Sequence, residues 1–333
     1  MYTLPPPAPP PPPPPLPPPP SSRSNWKELI YSRRRNWLDL PRDVVLTIFR
    51  KLGTIDTLHR AHNVCTTWRN ISKDPFLYHT IDMPNIGTDL SMDWYLELLC
   101  NRAIDYSSGQ VTDINIEYFG TDDVLNHIAD SVSHLRRLRL VGCYGVTDEG
   151  LCEVAEKFPH LEELDITISS LSDTPLQAIG QHCHQLKTFK FNIEGSRHPH
   201  MEYDDEAFAI AKTMPGLRHL QLFGNKMSNA GLLAILDGCP LLESLDIRQC
   251  FNLNLVGSLG KRCKEQIKYL RRPYDTIDDY PFQAEIHHGS PDEDYPDGIS
   301  DIDFLSDDDF AYYEFSGGSD FSEYEYDGNE YDL

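Results

Sequence analysis

Leu135-Arg-Arg-Leu138-Arg-Leu140 is the phrase on which the reading of this chain turns, because it keeps returning. It comes back as Leu161-Glu-Glu-Leu164-Asp-Ile166, Leu186-Lys-Thr-Phe189-Lys-Phe191, Leu217-Arg-His-Leu220-Gln-Leu222 and Leu242-Glu-Ser-Leu245-Asp-Ile247. A weaker copy, Val111-Thr-Asp-Ile114-Asn-Ile116, precedes them, and a fraying one, Ile267-Lys-Tyr-Leu270, follows. The first residues lie at 111, 135, 161, 186, 217, 242 and 267, which gives spacings of 24, 26, 25, 31, 25 and 25 residues.

The physics of the phrase is short. Its last three positions make a strand whose alternate side chains point inward and outward. The apolar positions that follow (Leu151, Val154, Ala155; Leu176, Ile179; Phe208, Ile210, Ala211; Leu232, Leu233, Ile235, Leu236) sit at helical spacing. One strand plus one helix cannot bury its own apolar face, whereas stacked copies share a continuous core. A period of roughly 20–29 residues carrying Leu-x-x-Leu-x-Leu is the signature of leucine-rich repeats. The expected fold class is therefore α/β, with a short right-handed solenoid of parallel strands and helices over 111–272. An ordinary doubly wound sheet competes with it, but five well-formed copies with matched downstream helices weigh against that.

Charge is spread unevenly. The formal net charge is −23, from 29 basic and 52 acidic residues. Residues 274–333 hold 20 Asp/Glu and no Lys or Arg, so 32 acidic and 29 basic residues remain before them. The tail thus supplies −20 and the rest only −3. Phosphates would be repelled by such a tail, so no direct nucleic-acid binding is expected of it. A run of some 18 apolar residues is missing, as is a basic segment followed by an apolar one at the start. No membrane association is expected, and the nucleus and/or cytoplasm is the default location.

The eight cysteines invite a metal reading, sharpest at His182-Cys183-His184. Zinc-type Cys-x-x-Cys spacing is absent. Cys143 and Cys250 instead lie three residues past the last apolar strand position, and Cys183 and Cys239 three before the first. Equivalent repeat positions call for small buried hydrophobes. No metal and no cofactor is expected.

The second informative stretch is Leu40-Pro41-Arg-Asp43-Val-Val45-Leu-Thr-Ile48-Phe-Arg-Lys-Leu52. Pro41 suits a first helical turn and Asp43 complements the helix dipole there. Val44, Val45, Ile48, Phe49 and Leu52 form an amphipathic face. Gly53-Thr54 closes that helix and offers a cap for the next, with Leu58, Ala61 and Val64 apolar. A third short helix holds Cys65, Trp68 and Ile71 and ends near Asp74-Pro75. A three-helix piece of roughly 45 residues has little core of its own, so its leftover apolar side chains either face a partner or pack on the first repeat.

Leu40-Pro41, Ile48, Leu52, Val64-Cys-x-x-Trp68-Arg69 and Asp74-Pro75-x-Leu77 resemble an F-box through the whole segment 36–82. Followed by leucine-rich repeats, the chain resembles the F-box/LRR family, and Arg102 to Ile116 is most similar to its plant branch. The turns Val146-Thr-Asp-Glu-Gly150-Leu151 and Met227-Ser-Asn-Ala-Gly231-Leu232 fit the cysteine-containing repeat subtype. The resemblance covers about 36–272. It implies a Skp-type adaptor as partner and, through it, the cullin and RING subunits of a ubiquitin ligase. The implied adaptor-binding residues are Leu40, Pro41, Val45, Ile48, Leu52, Leu58, Val64 and Trp68.

The remaining segments are read as follows. Residues 1–35 are a proline-rich, unstructured stretch containing the run Pro5 to Pro20, with a weak basic cluster at its end. Residues 83–110 carry a linker and capping helix around Ser91 to Tyr106. Residues 273–333 are a disordered acidic tail dotted with aromatic residues. The outward strand positions form the expected concave binding face, from which Arg137, Arg139, Asp165, Lys190, His219, Gln221, Phe223 and Arg248 are the candidate contacts to a protein substrate of unknown identity. Phe223 stands out there as an exposed aromatic, and the insert Glu194 to Asp204 lies beside that face.

No Walker loop, Gly-x-Ser-x-Gly, Gly-x-Gly-x-x-Gly or His-Glu-x-x-His occurs, so the chain is expected not to be an enzyme. The leading functional reading is the substrate receptor of an SCF-type ubiquitin ligase. The alternative is a non-degradative scaffold or transcription-linked interaction protein acting through its acidic aromatic tail.

Overall fold

The computed structural model describes residues 37–84, 93–193 and 202–282. The proline-rich stretch, most of the insert after Ile193 and the acidic tail beyond Phe282 lie outside the described residues.

Helix α1, Arg42–His59, starts behind Pro41 with Asp43 in its first turn. Gly53 breaks it with φ 81° and ψ 176°, a conformation that costs glycine little because it has no Cβ. The break falls where the Gly53-Thr54 pair predicts one helix to end and another to begin. Helix α2, Thr66–Ile71, is capped by Cys65, whose Sγ accepts from the Trp68 N–H at 3.4 Å. Asp74 caps the single turn Pro75–Tyr78 by accepting from the Phe76 N–H at 3.0 Å.

The chain then enters a sheet sooner than the repeat phrases indicate. Strand β1, Thr80–Met83, pairs in parallel with β2, Asp113–Glu117, across the connecting helix α3, Asp93–Ser107. Ile81 and Met83 point inward, although no Leu-x-x-Leu phrase leads into them. The last residues of the F-box-like segment are thus the first strand of the solenoid. After β2 come α4 (Asp122–Ser131), β3 (Arg137–Val141), α5 (Asp148–Ala155), β4 (Glu163–Thr167), α6 (Asp173–His182) and β5 (Thr188–Asn192). They are followed by α7 (Asp205–Thr213), β6 (His219–Gln221), α8 (Asn229–Gly238), β7 (Ser244–Asp246), α9 (Ser258–Gln266) and β8 (Tyr269–Arg271). The eight strands are parallel and stand in chain order.

Register explains why the phrase repeats. Ile81, Ile114, Leu138, Leu164, Phe189, Leu220, Leu245 and Leu270 are directly adjacent across the sheet. Burial of one such side chain contributes about 1.5–3 kcal/mol, and a one-residue slip would turn every one of them outward. Leu151, Val154, Leu176, Ile179, Leu232 and Ile235 close the core from the helices. Phe208, included in the predicted apolar set of its repeat, is instead 46% exposed.

Two hydrogen-bonded ladders tie copy to copy. Asp122 accepts from the backbone N–H of Thr147 at 2.9 Å and its hydroxyl at 2.7 Å. Asp148 does the same for Ser172, and Asp204 for Ser228. Thr147, Ser172 and Ser228 are the N-caps of the next helices, so each acid orients its neighbour's cap. Thiols form the second ladder. Cys143, Cys183, Cys239 and Cys250 donate to the carbonyls of Ile116, Ala155, Met214 and Leu222 in the preceding repeat. Those bonds account for cysteine at the four positions without a metal.

Candidate functional site

Two surfaces carry the residues singled out from the sequence. On the first, Val44, Ile48 and Leu52 lie four residues apart along α1 and so share one face. Val44 is 39% and Leu52 42% exposed, and Ile48 is half-buried. Pro41 and Val64 are exposed, while Leu40 and Trp68 are half-buried against a small core of Val45, Phe49, Ala61 and Ile71. Trp68 meets Phe49 edge-on at 5.2 Å between centroids, and Trp37 meets Trp68 in the same way at 6.3 Å.

Two of the expected adaptor contacts are corrected. Val45 is 2% exposed and belongs to the core of this helical piece. Leu58 is 1% exposed and is buried with Tyr78, Ile81 and Leu99 in the core of the repeats. Neither reaches the surface. Apolar periodicity marks both sides of a helix packed on two neighbours, and spacing does not say which side is free. Val44, Trp37 and Phe76 are the exposed apolar residues left out of the expected set.

The helical piece is built into the repeats. Ile55, Leu58 and Tyr78 share one core with Leu99 and Ile104 of α3. Thr57 Oγ1 donates to the Phe49 carbonyl at 3.1 Å, bridging the break at Gly53, and the Asp82 N–H donates to Thr54 Oγ1 at 3.2 Å. His59 Nδ1 lies 2.8 Å from the Tyr95 hydroxyl. The Tyr78 hydroxyl donates to the Ser72 carbonyl at 2.5 Å, and Ser72 Oγ lies 2.9 Å from His62 Nδ1. Burial lowers the His62 pKa, with Arg69, Arg102 and Lys73 adding to the effect. An imidazole disfavoured as a cation suits that half-buried network.

The second surface is the outward face of the strands. Arg139 is its centre: it donates to Glu117 at 2.6 Å and Asn115 at 2.9 Å, and pairs with Asp165 at 3.4 Å. Lys190 reaches the same Asp165 from the other side at 3.1 Å. Asp165 is held further by Thr167 Oγ1, which donates to it at 2.6 Å. Arg137 pairs with Asp113. His219 is exposed and Gln221 half-buried. So Arg137, Arg139, Lys190, His219 and Gln221 reach the surface on this face, whereas Asp165, only 5% exposed, is buried between Arg139 and Lys190 and is corrected from a contact to a support for them.

The other two expected contacts are not exposed. Phe223 is 1% and Arg248 3% exposed. The segment after β8 covers them. The Gln249 N–H donates to the Pro273 carbonyl at 2.9 Å, and Arg248 donates to the Thr276 carbonyl at 2.9 Å and to Asp279 at 2.6 Å. Arg271 holds the same Asp279 carboxylate at 2.7 Å. Tyr280 stacks on Phe223, and Phe282 lies 5.5 Å from the Arg139 guanidinium. Phe223 is therefore an aromatic that this chain already occupies, not a free one. The two guanidiniums, Arg271 foremost, hold the Asp279 carboxyl below the usual carboxylate range, and burial followed by Asp165 and Asp246 pushes the Tyr280 phenol up.

Among the described residues no group of three His, Cys, Asp or Glu is placed to hold a metal, and no helix is long and apolar enough to cross a membrane. An F-box-like family model matches residues 37–84, and a leucine-rich-repeat model matches 215–236. The F-box protein SKIP19 of Arabidopsis thaliana is 49% identical over 281 residues, 84% of this chain and 89% of that protein. F-box/LRR-repeat protein 22 of the same plant is 42% identical, over 82% of this chain and 88% of its own length. The chain belongs to the F-box/LRR-repeat family. F-box/LRR-repeat protein 23, also of Arabidopsis thaliana, is 46% identical over 73% of this chain and 55% of its own length.

For an F-box/LRR-repeat protein the placement is informative. The F-box presents its α1 stripe ahead of Gly53, while beyond that break Ile55 and Leu58 pack into the core of the repeats. Asp279, Tyr280 and Phe282 are the residues on the repeat face that motif reading missed. In the sequence they look like the rest of the acidic, aromatic tail, so no local signal set them apart.

Proposed function

We propose that this chain is the substrate-recognition subunit of an SCF-type E3 ubiquitin ligase, acting in the nucleus and/or cytoplasm. Its F-box docks a Skp-type adaptor, which brings cullin and RING subunits, and its strand face holds a protein substrate for ubiquitination. The chain itself catalyses nothing in this reading; ubiquitin transfer belongs to other subunits. The observation that carries it is the α1 stripe of exposed Val44 and Leu52 with half-buried Ile48 between them, on a helix whose Val45 and Phe49 are buried in the core of the helical piece. An exposed apolar stripe on a folded element marks a surface kept for a partner. Pro41, Leu40 and Val64 extend the apolar character on the same helical piece.

The test is co-purification. The full chain should bring down a plant Skp-type adaptor, and Val44→Glu/Leu52→Glu should lose it at unchanged melting temperature, since both side chains are exposed. Capture of adaptor by the folded double variant at the parent level would refute the reading.

A further inference from the structure

The strand face of this receptor is partly filled by the chain itself, and what fills it has a definite chemistry. Asp279 places one carboxylate between Arg248 and Arg271, at 2.6 and 2.7 Å. Tyr280 places one ring flat on Phe223, with centroids 3.9 Å apart. Phe282 adds an edge contact to Tyr280 and a cation–π contact to Arg139. Without the Asp279 carboxylate, Arg248 and Arg271 would face one acid, Asp246, and leave a net positive charge beside a bare aromatic ring. That is a subsite for an acidic residue next to a subsite for an aromatic one.

We propose that the strand face of β6 to β8 is a docking groove for an extended acidic–aromatic peptide segment of the substrate, and that Pro273 to Phe282 is its internal occupant. This rests on the receptor reading above and names the kind of partner the face takes. The substrate segment would put a carboxylate on Arg248 and Arg271 and a ring on Phe223, displacing Asp279 and Tyr280.

The charge pattern favours this occupant. Arg248 is nearly fully buried, and a buried guanidinium needs acceptors; only a ligand bearing a carboxylate can replace the strap without leaving it short. An apolar peptide would strip Asp279 from two cations and return nothing. The strap is also a weak lock by construction. The Asp279 side chain is 51% exposed, so its ion pairs are screened by water and salt. A tethered weak ligand still occupies its site, because a short tether gives an effective concentration of about a millimolar. The chain writes the same order a second time, as Asp278-Asp-Tyr280-Pro281 and Glu293-Asp-Tyr295-Pro296.

The experiment uses the full chain bound to its adaptor and a fluorescent peptide with the sequence of residues 275–283. Peptide anisotropy is read against the parent chain and against Asp279→Ala/Tyr280→Ala. The strap variant should bind at least tenfold more tightly than the parent, and a peptide with Ala for Tyr should not bind. Equal or absent binding by the folded variant overturns the proposal. Should the variant unfold, hydrogen exchange on the parent decides. A millimolar excess of peptide should raise exchange at the Gln249 and Tyr280 amides, and no change overturns the proposal. Adaptor co-purification is scored on the same samples. Retained adaptor with no peptide effect sinks the strap alone, whereas loss of adaptor binding by the parent sinks the receptor reading.

Discussion

Tyr280 and Phe223 lie with their ring planes within 2° and their centroids 3.9 Å apart, a stacked pair made by a residue outside the repeats and one at the end of a repeat strand. Phe223, 1% exposed, has that ring on one face and the Arg248 guanidinium 5.6 Å from its centroid. Aromatic pairs contribute about 0.5–1.5 kcal/mol beyond the area they bury. The double-mutant cycle of Phe223→Ala and Tyr280→Ala should therefore return a coupling of about 1 kcal/mol by chemical denaturation. Additivity within a few tenths of a kcal/mol would mean that the two rings do not hold each other in solution.

The ladder of acids across helix N-termini is open to a cleaner test. Asp148 accepts both the backbone N–H and the hydroxyl of Ser172, so Asp148→Ala removes the support of the next helix cap as well as a charge at its own helix start. Loss of such a cap costs about 1–2 kcal/mol, a fall of a few degrees in melting temperature for a domain of this size. Asp148→Asn keeps an acceptor and should lose less than half as much. Glu149→Ala, one residue on in the same first turn, serves as the control and should barely move the transition. Equal losses from Asp148 and Glu149 would reduce the ladder to a helix-dipole effect.

How much of this was legible in the sequence follows from what repeats. Leu138, Leu164 and Leu220 announce themselves because their neighbours in space are equivalent residues one period away, so packing leaves a periodic trace. Ile81 occupies the same column, and Met83 that of Ile116 and Leu140, yet no leucine phrase leads into them; the strand is specified by its pairing with β2, a tertiary fact. Val45 and Leu58 show the limit of helical spacing. A helix wedged between two cores has apolar residues on more than one side, and only coordinates separate the free stripe from the buried ones. Arg248 and Phe223 read as exposed because alternation fixes which way a strand residue points, not what lies on top of it. The covering segment is non-repetitive, and its Asp279 and Tyr280 look in sequence like the rest of an acidic tail.

The cysteines give a prediction on chemical reactivity. Burial pushes the Cys143 thiol up to about 11, and those of Cys100, Cys183 and Cys239 up to about 12. Cys250 and Cys263 are raised as well and, like the other four, are buried. Since the thiolate is the reactive form, a thiol reagent at pH 8 should modify only Cys65 and Cys152 in the native protein. All eight should react after denaturation. Mass mapping of the modified residues decides it. Fast modification of Cys143 or Cys250 in the folded chain would contradict the inter-repeat thiol ladder.

Glu206, in the first turn of α7, supplies the pH dependence. One of its carboxylate oxygens is buried without a hydrogen-bond partner. Burial raises its pKa, and Asp173, Asp205 and Asp204 raise it further. An acid whose folded-state pKa lies above its unfolded value destabilises the fold once it ionises, because the native state then holds a charge it would rather neutralise. Stability should therefore fall as pH rises from about 4.5, the ordinary glutamate range, through the raised native value. Glu206→Gln removes the charge and keeps the shape, and its amide can donate to the neighbouring acids. At neutral pH the variant should be more stable than the parent by about 1 kcal/mol, the scale of an unsatisfied buried group. The advantage should shrink as the pH falls towards 4.5, where the parent glutamate is protonated in the folded state and becoming protonated in the unfolded one. Melting temperatures of the two proteins across pH 4.5–8 check it, and a constant gap over that range would show that ionisation of Glu206 is not its source.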